Sequence, residues 1–414
     1  MNFAPEPTGI GKYSGEMAAD WVSRGHEVVV VCAPPYYPRW HVEDGHSPQD
    51  YRVERPRPGL TIVRCPVWLP KQLNGLKRLL HLASFALSSL PMLLALALWR
   101  PALVFAVAPG LMSAPAGWLL ARLSGARAWL HLQDLEVDAA FELGLLKGGH
   151  VRAWSLAAER RLLRSFDTVS TISRNMLAKV VSKGVPHRRM QLLPNWVDLT
   201  QVRPQPRSQR LLDELAIGGD RFVALFSGTL NRKQAVDLLI EAARRLASTD
   251  PRIVIVICGN GELRSGLEQL ACDLGNVRFG DLRPIDELGE LLSIADVHLL
   301  PQRGGAADLV MPSKLTGMLA SGRPVIASAL RETEIAHVIA GTGLRVEPES
   351  VDGFVHALRK LSQDPALCQR LGHAAWQYAE SHLGSHALMT RLNASLQSLC
   401  DESATQLMPE RVSL

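Results

Sequence analysis

Four short stretches of this chain combine residue types and spacings that can do chemistry. The first is Gly9-Ile10-Gly11, which opens a helical pattern. Glycines let a backbone approach a ligand closely, and the free amides of a helix start can meet an anion. The same residues also suit a plain tight turn. The next glycine is Gly15, so the third glycine of a G-x-G-x-x-G nicotinamide fingerprint is missing. The second stretch is Gly228-Thr229-Leu230-Asn231-Arg232-Lys233. Arg232 and Lys233, adjacent cations just beyond a predicted strand, can hold a diphosphate, or else begin a solvated helix. The third runs Asp308-Leu309-Val310-Met311-Pro312-Ser313-Lys314 and leads into Ala320-Ser321-Gly322-Arg323-Pro324. It reads as a loop, a short helix and a strand, with Ser313 and Lys314 beside exposed amides as an anion cradle. Gly322 fits a helix C-cap. The fourth is His131-Leu132-Gln133-Asp134-Leu135-Glu136-Val137-Asp138. Its imidazole and carboxylates can hydrogen-bond sugar hydroxyls or handle a proton, although a strand histidine is more often structural.

The elements that must position these residues follow from apolar periodicity. Strand-like runs fall at 27–33, 60–65, 103–108, 128–132, 168–172 and 191–194. After Gln205 they restart at 222–227, 253–258, 277–279, 297–301, 324–327 and 342–346. Helix-period segments such as Val236–Ser248 and Glu262–Leu274 lie between them. Strands alternating with helices imply parallel sheets of βαβ units. The polar segment Pro204-Gln205-Pro206-Arg207-Ser208 reads as a linker. The expectation is an α/β protein of two Rossmann-like domains, 1–203 and 209–375, whose parallel sheets face a cleft. Residues 376–414 form a helix packing back toward the first domain, plus a tail. In a doubly wound domain the first glycine turn follows a central strand. No strand precedes Gly9, so about five to eight β-forming residues are expected upstream of Met1, the usual strand length.

The chain has 414 residues, 47% hydrophobic and 21% charged, which excludes a disordered polymer and a small disulfide scaffold. Its net charge of +5 divides into +11 over residues 1–210 and −6 over 211–414. From Arg55 to Gln133 there is no Asp or Glu, so that stretch is either a solvated basic face or an attractor of anions. Cys32, Cys65, Cys258, Cys272, Cys368 and Cys400 form no C-x-x-C pair and read as idle thiols of a reducing compartment. The opening Met1-Asn2-Phe3-Ala4-Pro5 lacks the basic and apolar regions of a signal peptide. Residues 79–99, LLHLASFALSSLPMLLALALW, hold no formal charge and suit a buried, interfacial or spanning helix.

Larger motifs point further. The chain contains NFAPEPTGIGKYSGEMA (2–18), APPYYP (33–38), HLQDLEVDAAF (131–141), LPNWVD (193–198), SGTLNRKQ (227–234) and DLVMPSKLTGMLASGRPVIA (308–327). Over nearly its whole length it resembles glycosyltransferase family 4, and more narrowly the family's members of colanic acid biosynthesis. The resemblance implies the GT-B fold, a nucleotide-sugar donor (GDP- or UDP-linked) and retention of anomeric configuration. It implies that Arg232 and Lys233 neutralise the donor diphosphate. Gly228, Asp308, Leu309, Val310, Met311, Ser313 and Lys314 would then meet donor sugar and phosphates, with Gly9 and Gly11 closing on them. Asp134 and His131, with Arg232 and Lys233, would be the catalytic residues, and Gln133, Glu136 and Asp138 would sit at the acceptor side. The narrower resemblance suggests fucose as the sugar. Neither a metal nor another cofactor is required, because the leaving phosphate can itself take the acceptor proton. A basic first half and an apolar segment suggest a lipid-diphosphate-linked oligosaccharide acceptor and an anionic membrane surface, at the cytoplasmic face of the inner membrane. No nucleic-acid partner is expected. Two departures stand out: Gly317 replaces the second glutamate of the family's E-x7-E motif, and the first strand is missing. Rival readings are a nucleotide-sugar epimerase of the same architecture and a degenerate membrane-associated assembly partner.

Overall fold

The computed structural model describes residues 1–6, 9–70, 75–138, 149–231, 234–303 and 312–407. The chain divides into two compact units, Met1–Pro194 with Met389–Leu414, and Asn195–Leu388.

In the second unit six parallel strands lie in the order β10-β9-β8-β11-β12-β13. They are β8 (Phe222–Ser227), β9 (Ile253–Cys258), β10 (Val277–Gly280), β11 (Val297–Leu300), β12 (Val325–Ser328) and β13 (Gly343–Val346). The sequence of β9, IVIVIC, shows why. Branched side chains suit the pleat, and helices cover both faces, so no polar alternation is needed. Ile253, Ile255 and Ile257 pack into the core on one face, and Val254, Val256 and Cys258 into the core on the other. The helix Val236–Ala247 buries Val236, Leu239, Ile240, Ala243 and Leu246, one apolar stripe at helical spacing.

The first unit holds two sheets. One is parallel, in the order β4-β5-β6-β7, formed by β4 (Leu103–Ala108), β5 (Arg127–Leu132), β6 (Thr168–Thr171) and β7 (Met190–Leu192). The other has the order β1-β3-β2, with β1 (Val28–Cys32) parallel to β3 (Leu60–Arg64). β2 (Arg52–Arg57) pairs antiparallel with β3. Helix α1 (Gly9–Ser23) follows the glycine turn, α2 (Gly75–Ala95) carries Pro91 within it, and α3 (Ala114–Ser124) follows β4. The chain returns to this unit at Met389, where Asn393 donates to Asp20 at 2.7 Å and Arg127 to the Leu399 carbonyl at 3.2 Å.

All twelve strand-like runs of the sequence form strands, with ends shifted by at most two residues. The strand that was not expected is β2, RVERPR, which is mostly exposed. An edge strand needs no apolar face and tolerates proline, so periodicity does not mark it.

Ile257→Ala should lower unfolding free energy by about 2–5 kcal/mol in urea titration, because its site is fully buried. Val53→Ala, at an exposed position of β2, should change it by less than about 0.5 kcal/mol.

Candidate active site

At the carboxyl ends of β8 and β9 two loops are locked backbone to backbone. The Leu230 amide donates to the Asn260 carbonyl at 3.0 Å, and the Gly228 amide to the Cys258 carbonyl at 2.9 Å. A Cβ on Gly259 would lie 1.9 Å from the Gly228 carbonyl oxygen, and one on Gly261 would lie 2.3 Å from that of Leu230. Both positions therefore require glycine. Gly228 itself has φ +150°, and a Cβ there would meet Lys314 Cδ at 3.4 Å and Nζ at 3.5 Å. So Gly228 and Lys314, 86 positions apart in the chain, are brought into contact.

Lys314 opens the helix Lys314–Ala320. Its Nζ donates to Gln234 Oε1 at 2.6 Å and stands 4.2 Å from the centre of the Phe226 ring. Burial of the ammonium pushes its pKa down to about 7, although part of the side chain still meets solvent. Such a group is protonated or neutral at little energetic cost near neutral pH, and an arriving diphosphate favours the protonated form. Ser313 is exposed beside it. Arg232, Lys233, Asp308, Leu309, Val310 and Met311 lie outside the described residues. Gly317 is buried, and a Cβ there would press on Leu292 at 3.3 Å, so the position faces packed interior.

Two residues that sequence reasoning passed over also work at these strand ends. Arg264 donates to the carbonyls of Gly259 (2.6 Å) and Gly280 (2.8 Å), tying the loops after β9 and β10. Gln234 holds the Lys314 ammonium. The glycines flanking Arg264 and the SGTLNRKQ motif were the available signals.

In the first unit, β5 delivers the His131–Asp138 stretch. His131 is fully buried, with Nδ1 2.8 Å from Ser170 Oγ and Nε2 3.0 Å from Gln133 Nε2. Burial pushes its pKa down to about 3, so it stays neutral. Glu136 accepts from the amides of Gly110 (2.5 Å) and Leu111 (2.9 Å), fixing the turn after β4, and burial raises its pKa. Asp138 and Glu159 share the ammonium of the buried Lys183. Burial raises the pKa of the Tyr37 phenol, and the nearby carboxylates of Glu6 and of the partly buried Asp134 add to the rise. The stretch thus holds several residues whose partners are parts of the unit itself.

Gly9 (φ +61°) and Gly11 occupy the first turn of α1. A Cβ on Gly11 would lie 2.6 Å from both Cβ and Oε2 of Glu6. Glu6, absent from the expected site, is buried and accepts from the Tyr36 (3.2 Å) and Tyr37 (3.1 Å) amides and from Asn2. Burial raises its pKa, and those hydrogen bonds oppose the rise. It joins the glycine turn to the APPYYP segment. No cluster of three or more His, Cys, Asp or Glu suited to a metal occurs among the described residues.

Comparison with known proteins bears on what these loops serve. Residues 8–196 match the model of a glycosyl transferase 4-like domain, and 208–378 that of glycosyl transferases group 1. The chain is 41% identical over 393 residues to a putative colanic acid biosynthesis glycosyl transferase, WcaI, of Escherichia coli, covering 92% of this chain and 95% of that protein. This chain belongs to glycosyltransferase family 4. It is also 27% identical over 393 residues to a GDP-mannose-dependent phosphatidylinositol monomannoside mannosyltransferase of Mycolicibacterium smegmatis, covering 91% of this chain and 92% of that one. Among solved structures, a sucrose-phosphate synthase from Thermosynechococcus elongatus superposes with a TM-score of 0.74 at 18% identity, over 95% of this chain and 94% of that chain. The two α/β units of this glycosyltransferase are therefore the Rossmann-like domains of a GT-B enzyme.

Because the Lys314 ammonium titrates near pH 7, kcat/KM for the donor should fall above that pH, by up to about tenfold per unit. In Lys314→Met this dependence should flatten, as a pH–rate series on both proteins will show. Gly228→Ala should raise the donor KM, read from saturation curves, since a φ of +150° strains any side chain there and the loop beside Lys314 must shift.

Proposed function

We propose that this glycosyltransferase moves a sugar from a nucleotide diphosphate sugar onto a lipid-diphosphate-linked oligosaccharide, in the assembly of an exopolysaccharide of the colanic acid type. What carries the reading is the 41% identity with the Escherichia coli protein over almost all of its length. The narrower likeness favours fucose as the sugar. The reaction retains anomeric configuration: negative charge developing on the leaving diphosphate meets cations, and that phosphate takes the acceptor proton on the same face. Lys314 supplies one cation, and Arg232 and Lys233 supply two more. Asp134 is the carboxylate proposed to orient the acceptor hydroxyl. His131, neutral and engaged at both ring nitrogens, holds the end of β5 in place.

The acceptor is presented at an anionic membrane surface on the cytoplasmic side. Helix α2 and the turn after it support this. Within Gly75–Trp99, long and apolar enough to cross a membrane, the most apolar window is only 11% buried. Leu76, Leu80, Leu87, Leu94 and Leu98 are exposed, and Arg78 and Arg100 flank the apolar run. The opposite face is tied to the unit by polar contacts. His81 reaches the Trp68 carbonyl (2.7 Å) and Tyr36 hydroxyl (3.2 Å), Ser84 accepts from the Trp68 amide (2.9 Å), and Ser88 donates to the Pro66 carbonyl (2.5 Å). A spanning helix would strand these groups in lipid, at several kcal/mol each. An interfacial helix keeps them and wets only its leucine face with acyl chains.

Replacing Arg232 and Lys233 together by alanine should abolish transfer to the isolated lipid intermediates while the circular-dichroism melt is unchanged; full turnover would refute the phosphate role. The protein should pellet with anionic vesicles and be released by salt. Leu87→Ser with Leu98→Ser should weaken pelleting at least about tenfold.

A further inference from the structure

A cavity of about 680 Å³ lies at the amino ends of the second unit's strands, and every residue lining it belongs to that unit. Its wall takes in the residues that open four neighbouring strands: Arg221 and Phe222 at β8, Arg252 at β9, Asp296 at β11 and Pro324 at β12. The six residues of β8 set it about 20 Å from the loop of Gly228 at the opposite end of the sheet.

Two segments that the sequence marks and the site above does not use meet here: the linker around Pro204 and Arg207, and Gly322-Arg323-Pro324. Two glycines lock them together. A Cβ on Gly322 (φ +70°) would lie 2.7 Å from Pro204 Cγ, and one on Gly372 would lie 2.4 Å from the Gly322 carbonyl oxygen. Gly372 belongs to the helix Pro365–His382, which lines the cavity with one face, Cys368, Gly372 and the half-buried Trp376 among it. Linker, helix and strand ends thus form a fixed frame.

The charge of that frame is unbalanced. Arg207, Arg221, Arg252 and Arg323 line it, against the carboxylates of Asp220 and Asp296. Asp296 is already engaged, accepting from the Val223 amide at 2.7 Å and standing 3.4 Å from Arg207. Arg221 donates to the Pro251 carbonyl at 2.5 Å. Arg323 reaches only the carbonyls of Gln205 (3.4 Å) and Ser293 (3.5 Å), at the outer limit of a hydrogen bond. Nε and Nη2 of Arg207 and Nε of Arg323 are buried with no hydrogen-bond acceptor among the described residues. A buried guanidinium N–H left unpaired is costly, and phosphate oxygens match the guanidinium fork.

We infer that this cavity is a second ligand site, separate from the loops after β8 and β9, for a small phosphate-bearing organic anion. Its phosphate oxygens pair with the guanidiniums of Arg207 and Arg323, which turn to meet them. Arg221 and the exposed Arg252 add attraction at longer range. Trp376 gives the organic part, a sugar or a base, an apolar plate. The volume is ordinary for a small-molecule site.

Calorimetric titration with inorganic pyrophosphate tests this on the full chain and three variants: Arg207→Gln with Arg323→Gln, Arg252→Glu, and Arg232→Ala with Lys233→Ala. The first should weaken binding at least about tenfold and the second at least about threefold, while the third keeps one site of full affinity. Arg252 is exposed, so its variant decides the matter if the glutamine pair fails to fold. In the third variant pyrophosphate should also slow hydrogen exchange of peptides covering 204–208 and 322–324. Glucose 6-phosphate or AMP should bind that variant more tightly than inorganic phosphate, the better of the two marking sugar or base, and Trp376→Ala should remove the gain. Unchanged pyrophosphate affinity in the Arg207, Arg323 and Arg252 variants overturns the inference. So does loss of all binding in the Arg232→Ala, Lys233→Ala protein, or an organic phosphate that binds no better than inorganic phosphate.

Discussion

The loops at the carboxyl ends of β8 and β9 depend on one close approach, that of the Gly259 backbone to the Gly228 carbonyl. No side chain fits between them: a Cβ would stand 1.9 Å from the oxygen. Because β8 and β9 are parallel neighbours in register, their carboxyl ends emerge side by side, and the loops can close on each other only where glycine permits. That closure fixes Gly228 against Lys314, Lys314 against Gln234 and Phe226, and Arg264 across the loops of β9 and β10. A lysine held this way pays a desolvation cost, which lowers its pKa and which a nearby anion would relieve.

In the first unit the carboxylates play a different part. Glu6 gathers two amides of the Tyr36–Tyr37 turn, Glu136 gathers two amides after β4, and Asp138 with Glu159 holds Lys183. These are positioning contacts. They set loops at the carboxyl ends of the strands. Asp134, on the same stretch, is the carboxylate proposed to meet the acceptor.

Much of this was legible in the sequence. The buried parallel strands announce themselves as apolar runs, IVIVIC above all, and the restart of the pattern after Gln205 marks the second domain. The exposed edge strand β2 was not legible, since RVERPR has no apolar alternation and Val53 is its one strand-forming apolar residue. At the site, SGTLNRKQ and the Lys314 motif stood out by cation placement. Glu6 and Arg264 did not, because their partners are backbone groups of loops distant in sequence.

The sequence by itself determined the two α/β domains and, through its motifs, the family, because hydrophobic period and glycine placement are local properties. Only the tertiary structure decided that His131 is a buried, neutral strand histidine and that Lys314 is a buried ammonium with a lowered pKa. Both follow from desolvation, which depends on what other elements pack around a group. The leucine face of α2 is the same kind of fact: composition marks an apolar helix, but packing alone settles which side the protein covers and which side it leaves exposed.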